Sequence, residues 1–509
     1  MSSGECRARA MIRAFLFVSL LLPLCVSATD FPRPVALEPA VDFWVKVYTE
    51  VSTSQGYMHD DENLAIIYQA LDVPADRRAR QRRVGGVRDE VAASLRALGQ
   101  GKRRDLTPME TVVLAAWPAD TPFDEFTRAA HRVRFQLGQS DRFRSGLVRS
   151  GQWKPHIRDV LARHELPAEL VVLPHVESSF NTTAWSKAAA AGMWQFMPST
   201  ARRFMRVDHV VDARMDPFFA TDGAARLLKA NHKLTGTWPL ALTGYNHGAT
   251  GMMRAAQTVG TTDIDVIVKH YKGRAFGFAS RNFYASFLAA LQVDSRAEEY
   301  FPGVVMVEPV LYDATELSDF ISASHFADAL GISLEELRQH NPALMDPVWT
   351  GDKYIPAGFE VRIPEGQIEL SMDEALASLS IVSRYNQQKP DRIHRIVQGD
   401  SLSGIAQQHK TTVSRLMTLN GLRSHRIRAG QTLILPGNAQ SQGLSADHIA
   451  KTRARLQHAP LEYVIQQGDS LWSIARRFNV STQELVVWND LSRKAHLQPG
   501  QKLKIATSG

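Results

Sequence analysis

Two stretches near the C-terminus repeat one another almost position for position. "VQGDSLSGIAQQHKTTVSRLMTLNGLRSHRIRAGQTLILP" (397–436) aligns with "QQGDSLWSIARRFNVSTQELVVWNDLSRKAHLQPGQKLKI" (466–505). Gln398-Gly399-Asp400-Ser401-Leu402 recurs as Gln467-Gly468-Asp469-Ser470-Leu471, Asn420 as Asn489, and Gly430-Gln431 as Gly500-Gln501. Such self-similarity marks repeated supersecondary units. In each, a short strand leads into Asp-Ser, a helix N-cap signal. A helix follows, then a second around Leu416 or Leu485, then Gly-Gln and a closing strand. The pattern predicts two β-α-α-β modules, 391–437 and 460–507, joined by a polar linker at 438–459. A degenerate third unit is expected within 299–365: it keeps a helix around Leu334 to Leu337, Asn341 and a closing "PAGFEVRIP", but lacks Gly-Asp-Ser-Leu.

A chain of 509 residues is too long for one core, and upstream of the repeats its texture is helical. "DFWVKVYTEV", the amphipathic "FDEFTRAAHRVRFQLG", "GAARLLKANHKL" and "RNFYASFLAALQV" carry apolar residues at helical spacing. Residues 43–298 read as one α-helical domain, with a helical extension at 29–150 preceding a second helical segment at 151–298. The fold class expected is mainly α. The net charge of +7 is concentrated in "DRRARQRRVGGVR" (76–88) and "GKRRD" (101–105). Such runs read as solvated helix faces, and without a nucleic-acid motif beside them no nucleic-acid partner is expected.

The N-terminus has Arg7, Arg9 and Arg13, an apolar run from Ala14 to Val26, and the small-residue site Val26-Ser27-Ala28. This is the pattern of a secretory signal peptide, residues 1–28. Both cysteines, Cys6 and Cys25, fall inside it, so cleavage after Ala28 leaves no thiol for disulfides or metal. Acylation at Cys25 is the alternative, though Leu24 is not the small residue that usually precedes such a site. Export to the periplasm or cell envelope is expected, with peripheral association to the outer membrane left open.

One helical stripe raises a chemical question. Leu166, Leu170, Leu173 and Glu177 lie along one face, with Pro167 expected in the first turn and Pro174 expected to kink the helix. A carboxylate on an apolar stripe finds a partner or has its pKa raised by desolvation, which makes Glu177 a candidate general acid. Around it stand Glu177-Ser178-Ser179-Phe180, "GMWQFMPSTA" (192–201) and "TGYNHG" (243–248), in that order.

Those three motifs resemble E-S-x-F, G-L-M/W-Q-x-M-P-x-T-A and A-Y-N-x-G of the lytic murein transglycosylases, lysozyme-like enzymes of glycoside hydrolase family 23. With the C-terminal repeats, which resemble LysM domains, the chain resembles the D-type branch of that family. Trp194 and His247 depart from the commoner residues at their positions. The resemblance implies that 151–298 is a lysozyme-like helical catalytic segment, followed by LysM modules, acting on peptidoglycan glycan strands with neither cofactor nor metal. It implies that Glu177 protonates the glycosidic oxygen between N-acetylmuramic acid and N-acetylglucosamine, then acts as base while a 1,6-anhydro ring closes. Ser186, Gln195, Met197, Tyr245 and Asn246 are the implied substrate-binding residues. In the repeats, Gly399, Asp400, Ser401, Leu402 and Asn420, and Gly468, Asp469, Ser470, Leu471 and Asn489, are the implied glycan-binding positions.

Two other readings compete. A goose-lysozyme-like muramidase would need a second carboxylate to position water, and Asp212 or Asp216 would have to face Glu177. Both read better as turn and helix-cap residues. A non-catalytic wall-binding protein would have no use for the intact motifs. His175, His209, His232 and His247 lack metal-ligand spacing and are expected to be structural or surface residues.

Overall fold

The computed structural model describes residues 30–379, 383–422, 424–436 and 460–466, positions 474, 478, 480, 485, 488, 489 and 491, and residues 498–506. The expected signal peptide, the linker and Gly468 to Leu471 lie outside the described residues. Among the described residues, no helix is long and apolar enough to cross a membrane.

The largest core joins the extension to the catalytic segment. Helix Glu38–Thr49 presents Val41, Trp44, Val47 and Tyr48 on one buried face, and this face packs on helix Phe278–Ser295. Helices Ser140–Arg163, Pro217–Thr235, Trp238–His247 and Ala249–Val259 complete the core.

A second core departs from the all-helical expectation for residues 29–150. Strands Gln55–Asp60, Ile67–Asp72 and Val133–Leu137 form an antiparallel sheet with Gln55–Asp60 in the middle. The helix expected across "FDEFTRAAHRVRFQLG" stops at Ala129. Val133-Arg-Phe-Gln-Leu137 alternates bulky apolar with polar residues, so it suits a strand once a partner edge is present. Helix Arg77–Gly99 covers the sheet, burying Val84, Val87, Val91, Leu95 and Leu98 at helical spacing. Its arginine-rich first half is solvated, as expected. "GKRRD" instead forms the turn after this helix, because Gly101 adopts φ 91° and ends it.

The third core has the β-α-α-β order. Strands Tyr312–Glu316 and Glu360–Pro364 pair antiparallel, with helices Ala323–Leu330 and Leu334–His340 between them. In the first repeat, strands Arg392–Arg395 and Thr432–Leu435 flank helices Leu402–Gln408 and Val413–Leu419. In the second, Pro460–Val464 pairs with Lys502–Ala506.

One asparagine holds each of the three units together in the same way. Asn420 Nδ2 donates to the carbonyls of Leu416 and Ile434, and its Oδ1 accepts from the Ile434 N–H at 2.7 Å. Asn489 does the same with Leu485 and Lys504. Asn341 does it with Leu337 and Arg362. Each clasp ties the end of the second helix to the closing strand.

The unit at 312–364 is also joined to the catalytic segment. Val210, Val211 and Ala213 enter its core, the Asp212 N–H donates to the Ala343 carbonyl at 2.7 Å, and Arg362 pairs with Asp216 at 2.8 Å in a buried contact.

Candidate active site

The apolar stripe before Glu177 is not one kinked helix. Pro167 is extended (ψ 136°) and precedes a 3-10 helix, Ala168–Val172, and a separate α-helix, Leu173–Ser178, starts with Pro174 in its first turn. Proline is tolerated there because that N–H has no intrahelical acceptor, so it starts a helix where a kink was expected. Glu177 thus sits in the last turn of a short helix whose base is anchored. His175 stacks on Phe143 (4.3 Å between centroids) and meets Asp294 at 3.0 Å, and Asp294 in turn holds Lys154 at 2.5 Å. Burial lowers the His175 pKa against the opposing pull of Asp294. His209 pairs with Asp391, His232 stacks on Trp238 and His247 meets the Phe276 ring, all structural engagements.

The three motifs are wired to one another by hydrogen bonds. Ser178 Oγ donates to the Met193 carbonyl at 2.8 Å, and Tyr245 OH donates to the Trp194 carbonyl at 2.8 Å. Trp194 is buried and donates its indole N–H to Thr221. The turn at 192–196 is therefore gripped by the glutamate helix on one side and the tyrosine helix on the other.

This segment also stores backbone strain. Ser179, Phe180, Ala189 and Gln195 all have left-handed φ, between 48° and 72°, though none is glycine. Each such residue costs about 1–3 kcal/mol and persists only where its surroundings over-determine it. Arg214 supplies much of that restraint. It makes a double contact with Asp212 (2.8 and 2.7 Å) and donates to the carbonyls of Ala189 and Phe196 at 2.7 and 2.9 Å. Gly192 is required beneath it, since a Cβ there would lie 1.8 Å from the Arg214 carbonyl oxygen.

The Glu177 side chain keeps limited access to solvent. Among the described residues its carboxyl accepts no hydrogen bond and meets no cation. Burial pushes its pKa up to about 8. Tyr245 is raised well above its ordinary value, first by burial and then by the charge of Glu177. Tyr48 is raised likewise by burial and also feels Glu177. Tyr48 was not singled out in the sequence, where it is one more apolar-face residue of its helix.

Ser186 Oγ accepts from the N–H groups of Ala188 and Ala190, leaving its own proton to donate. Gln195 Nε2 donates to the Gly192 and Ala184 carbonyls, which leaves Oε1 without a protein donor among the described residues. Met197 is 41% exposed. Asn246 accepts from the Ser280 hydroxyl at the end of the tyrosine helix. Asp212 and Asp216 are both committed: Asp212 in its turn with Arg214, and Asp216 as the cap of helix Pro217–Thr235, paired with Arg362.

In the first repeat the implied glycan-binding positions build the module itself. Gly399 adopts φ 97°, Asp400 accepts from the Val397 N–H and pairs with His394, Ser401 caps the first helix, and Leu402 is buried in the core.

Residues 157–268 match the family Transglycosylase SLT domain, and residues 394–436 and 463–506 match the family LysM domain. Over 457 residues the chain is 26% identical to "Membrane-bound lytic murein transglycosylase D" of Escherichia coli, covering 81% of this chain and 92% of that protein. "N-acetylmuramoyl-L-alanine amidase sle1" of Staphylococcus epidermidis is 32% identical over 123 residues, 24% of this chain and 36% of that protein. Among solved structures, an inactive mutant of lytic transglycosylase Slt from Pseudomonas aeruginosa overlaps 45% of this chain and 34% of that one, at 18% identity and a TM-score of 0.25. The match to the first relative covers 81% of this chain, more than any one of its domains. The chain joins a transglycosylase SLT domain to two LysM domains, the make-up of a peptidoglycan lytic transglycosylase.

Proposed function

We propose that this chain cleaves the β-1,4 bond between N-acetylmuramic acid and N-acetylglucosamine without water, leaving 1,6-anhydromuramoyl ends, with Glu177 as both acid and base. The observation that carries this reading is the Glu177 carboxyl, raised to about 8 by burial, with no partner among the described residues to hold it ionised. A carboxylic acid that keeps its proton near neutral pH can give it to the leaving glycosidic oxygen. As the C1–O bond breaks, the 2-acetamido oxygen of muramic acid stabilises the cationic centre. The ionised Glu177 then takes the proton of the C6 hydroxyl, and O6 bonds to C1. The glutamate ends as it began, and no water is consumed.

The neighbouring residues fit this sequence. The Tyr245 phenol stays neutral throughout and feels the Glu177 charge, while the Ser186 proton and Gln195 Oε1 face no competing protein partner among the described residues. A hydrolytic enzyme would place a second carboxylate to direct water. Asp212 and Asp216 are each held by an arginine and by backbone N–H groups, which favours the lyase reading.

The same asparagine clasp at Asn341 supports reading 312–364 as a third LysM-type unit, docked on the catalytic segment. Export to the cell envelope, through the segment ending at Ala28, would bring the chain to its substrate. Purified sacculi incubated with the mature protein test the chemistry: solubilisation without new reducing ends is expected. One new reducing end per cut would mean hydrolysis.

A further inference from the structure

A cleft of about 1310 Å³ opens between the catalytic segment, the 312–364 unit and the first LysM domain. One wall carries Trp185 and Pro198, the opposite wall carries Asn420, Gly421 and Leu422, and Met345 joins them. Trp185 is 52% exposed, although a tryptophan is normally largely buried. Its ring is backed by the Arg214 guanidinium, 5.3 Å from the centroid. It sits in the strained loop between Ala184, which accepts from Gln195, and Ser186, and bridges to Ala191. Trp185 and Pro198, which line the cleft, are the chain neighbours of Ser186 and of the exposed Met197, two of the implied substrate-binding residues.

The far wall is fixed in place. Arg415 of the first LysM domain pairs with Asp352 (Nε at 3.0 Å), a carboxylate that is largely buried. Asp391, at the start of that domain, meets both Lys353 at 2.6 Å and His209 at 3.0 Å.

We infer that this cleft is an extended glycan-binding track in which Trp185 is a stacking platform, so that one strand contacts the first LysM domain and the catalytic loop together. The inference rests on the glycan-cleaving reading above and adds a binding surface to it. A glycan strand suits the cleft because both of its walls belong to carbohydrate-handling domains. The apolar C–H face of a pyranose also covers an exposed indole whose other face is already backed. The first LysM domain then acts as a wall of the active cleft, and the second is left as the tether.

The test compares kcat/KM on long, uncrosslinked glycan strands with that on a muropeptide tetrasaccharide, for the full chain and for Trp185→Ala. The long-to-short ratio should fall about tenfold, the worth of one aromatic contact, with the loss in KM. Arg415→Glu, which releases the far wall without touching the catalytic segment, should lower the same ratio. An unchanged ratio in both variants, with wild-type cleavage intact, overturns the track while leaving the proposed reaction standing. Equal losses on both substrates would also overturn it, by placing Trp185 at the scissile bond. Failure of the proposed reaction shows separately, as retained cleavage by Glu177→Gln.

Discussion

Replacing Glu177 by glutamine should stabilise the protein, by an amount set by pH. The folded carboxyl titrates at about 8, against an ordinary value of 4.5. Below pH 4.5 the group is neutral in both folded and unfolded chains, so wild type and Glu177→Gln should melt alike. Between those two values the unfolded chain has lost a proton that the folded chain still holds. Stability of the wild type therefore falls as pH rises across this window, by about 1.4 kcal/mol per unit. The full span amounts to about 5 kcal/mol, and the limited solvent access of the side chain brings the expectation to roughly 2–5 kcal/mol. Glutamine carries no such term. At about 2–4 °C per kcal/mol for a domain of this size, the variant should melt several degrees higher at pH 8 than the wild type, with the gap closing towards pH 4.5. Melting by circular dichroism from pH 4.5 to 9 measures it. A gap that stays constant across the range would refute the argument, since it would mean that Glu177 titrates like an exposed carboxylate.

The same variant should lose sacculus cleavage by about a hundred- to ten-thousand-fold, the usual cost of removing general acid–base catalysis. Wild-type kcat/KM should decline as pH rises through about 8, because Glu177 then loses the proton it must donate. Arg362→Met should cost about 3–5 kcal/mol in urea denaturation, because Asp216 is left buried without its cation; the Asp216→Asn/Arg362→Met pair should recover part of it. Ending the chain after residue 436 should weaken sacculus pull-down while tetrasaccharide cleavage persists; undiminished pull-down would mean that the second LysM domain is not a tether.

Much of the architecture was readable because it is carried by local chemistry. The Asp-Ser caps, the paired Gly-Gln turns and the recurring asparagine marked the modules, and Asn341 survived even where Gly-Asp-Ser-Leu did not. The spacing of Leu166, Leu170, Leu173 and Glu177 correctly flagged an acid in apolar surroundings, although the backbone there is two helices. What escaped depends on distant partners. Val133-Arg-Phe-Gln-Leu137 becomes a strand because Gln55–Asp60 offers an edge, and a five-residue alternation inside a longer helical pattern is ambiguous without it. Tyr48 reaches the site only because its helix packs across Phe278–Ser295. Arg214 restrains the loop through two carbonyls, 18 and 25 residues away in sequence, and no side-chain pattern announces such a contact.

In the proposed reaction Glu177 moves a proton within the substrate and water takes no part. Digesting purified sacculi in ¹⁸O-labelled water and weighing the released muropeptides tests it directly. Muramoyl ends one water lighter than the hydrolysed products, with no label incorporated, are expected from the wild type and should be absent when Glu177→Gln is used. Full-mass, reducing muropeptides carrying one ¹⁸O at the muramic C1 would contradict it.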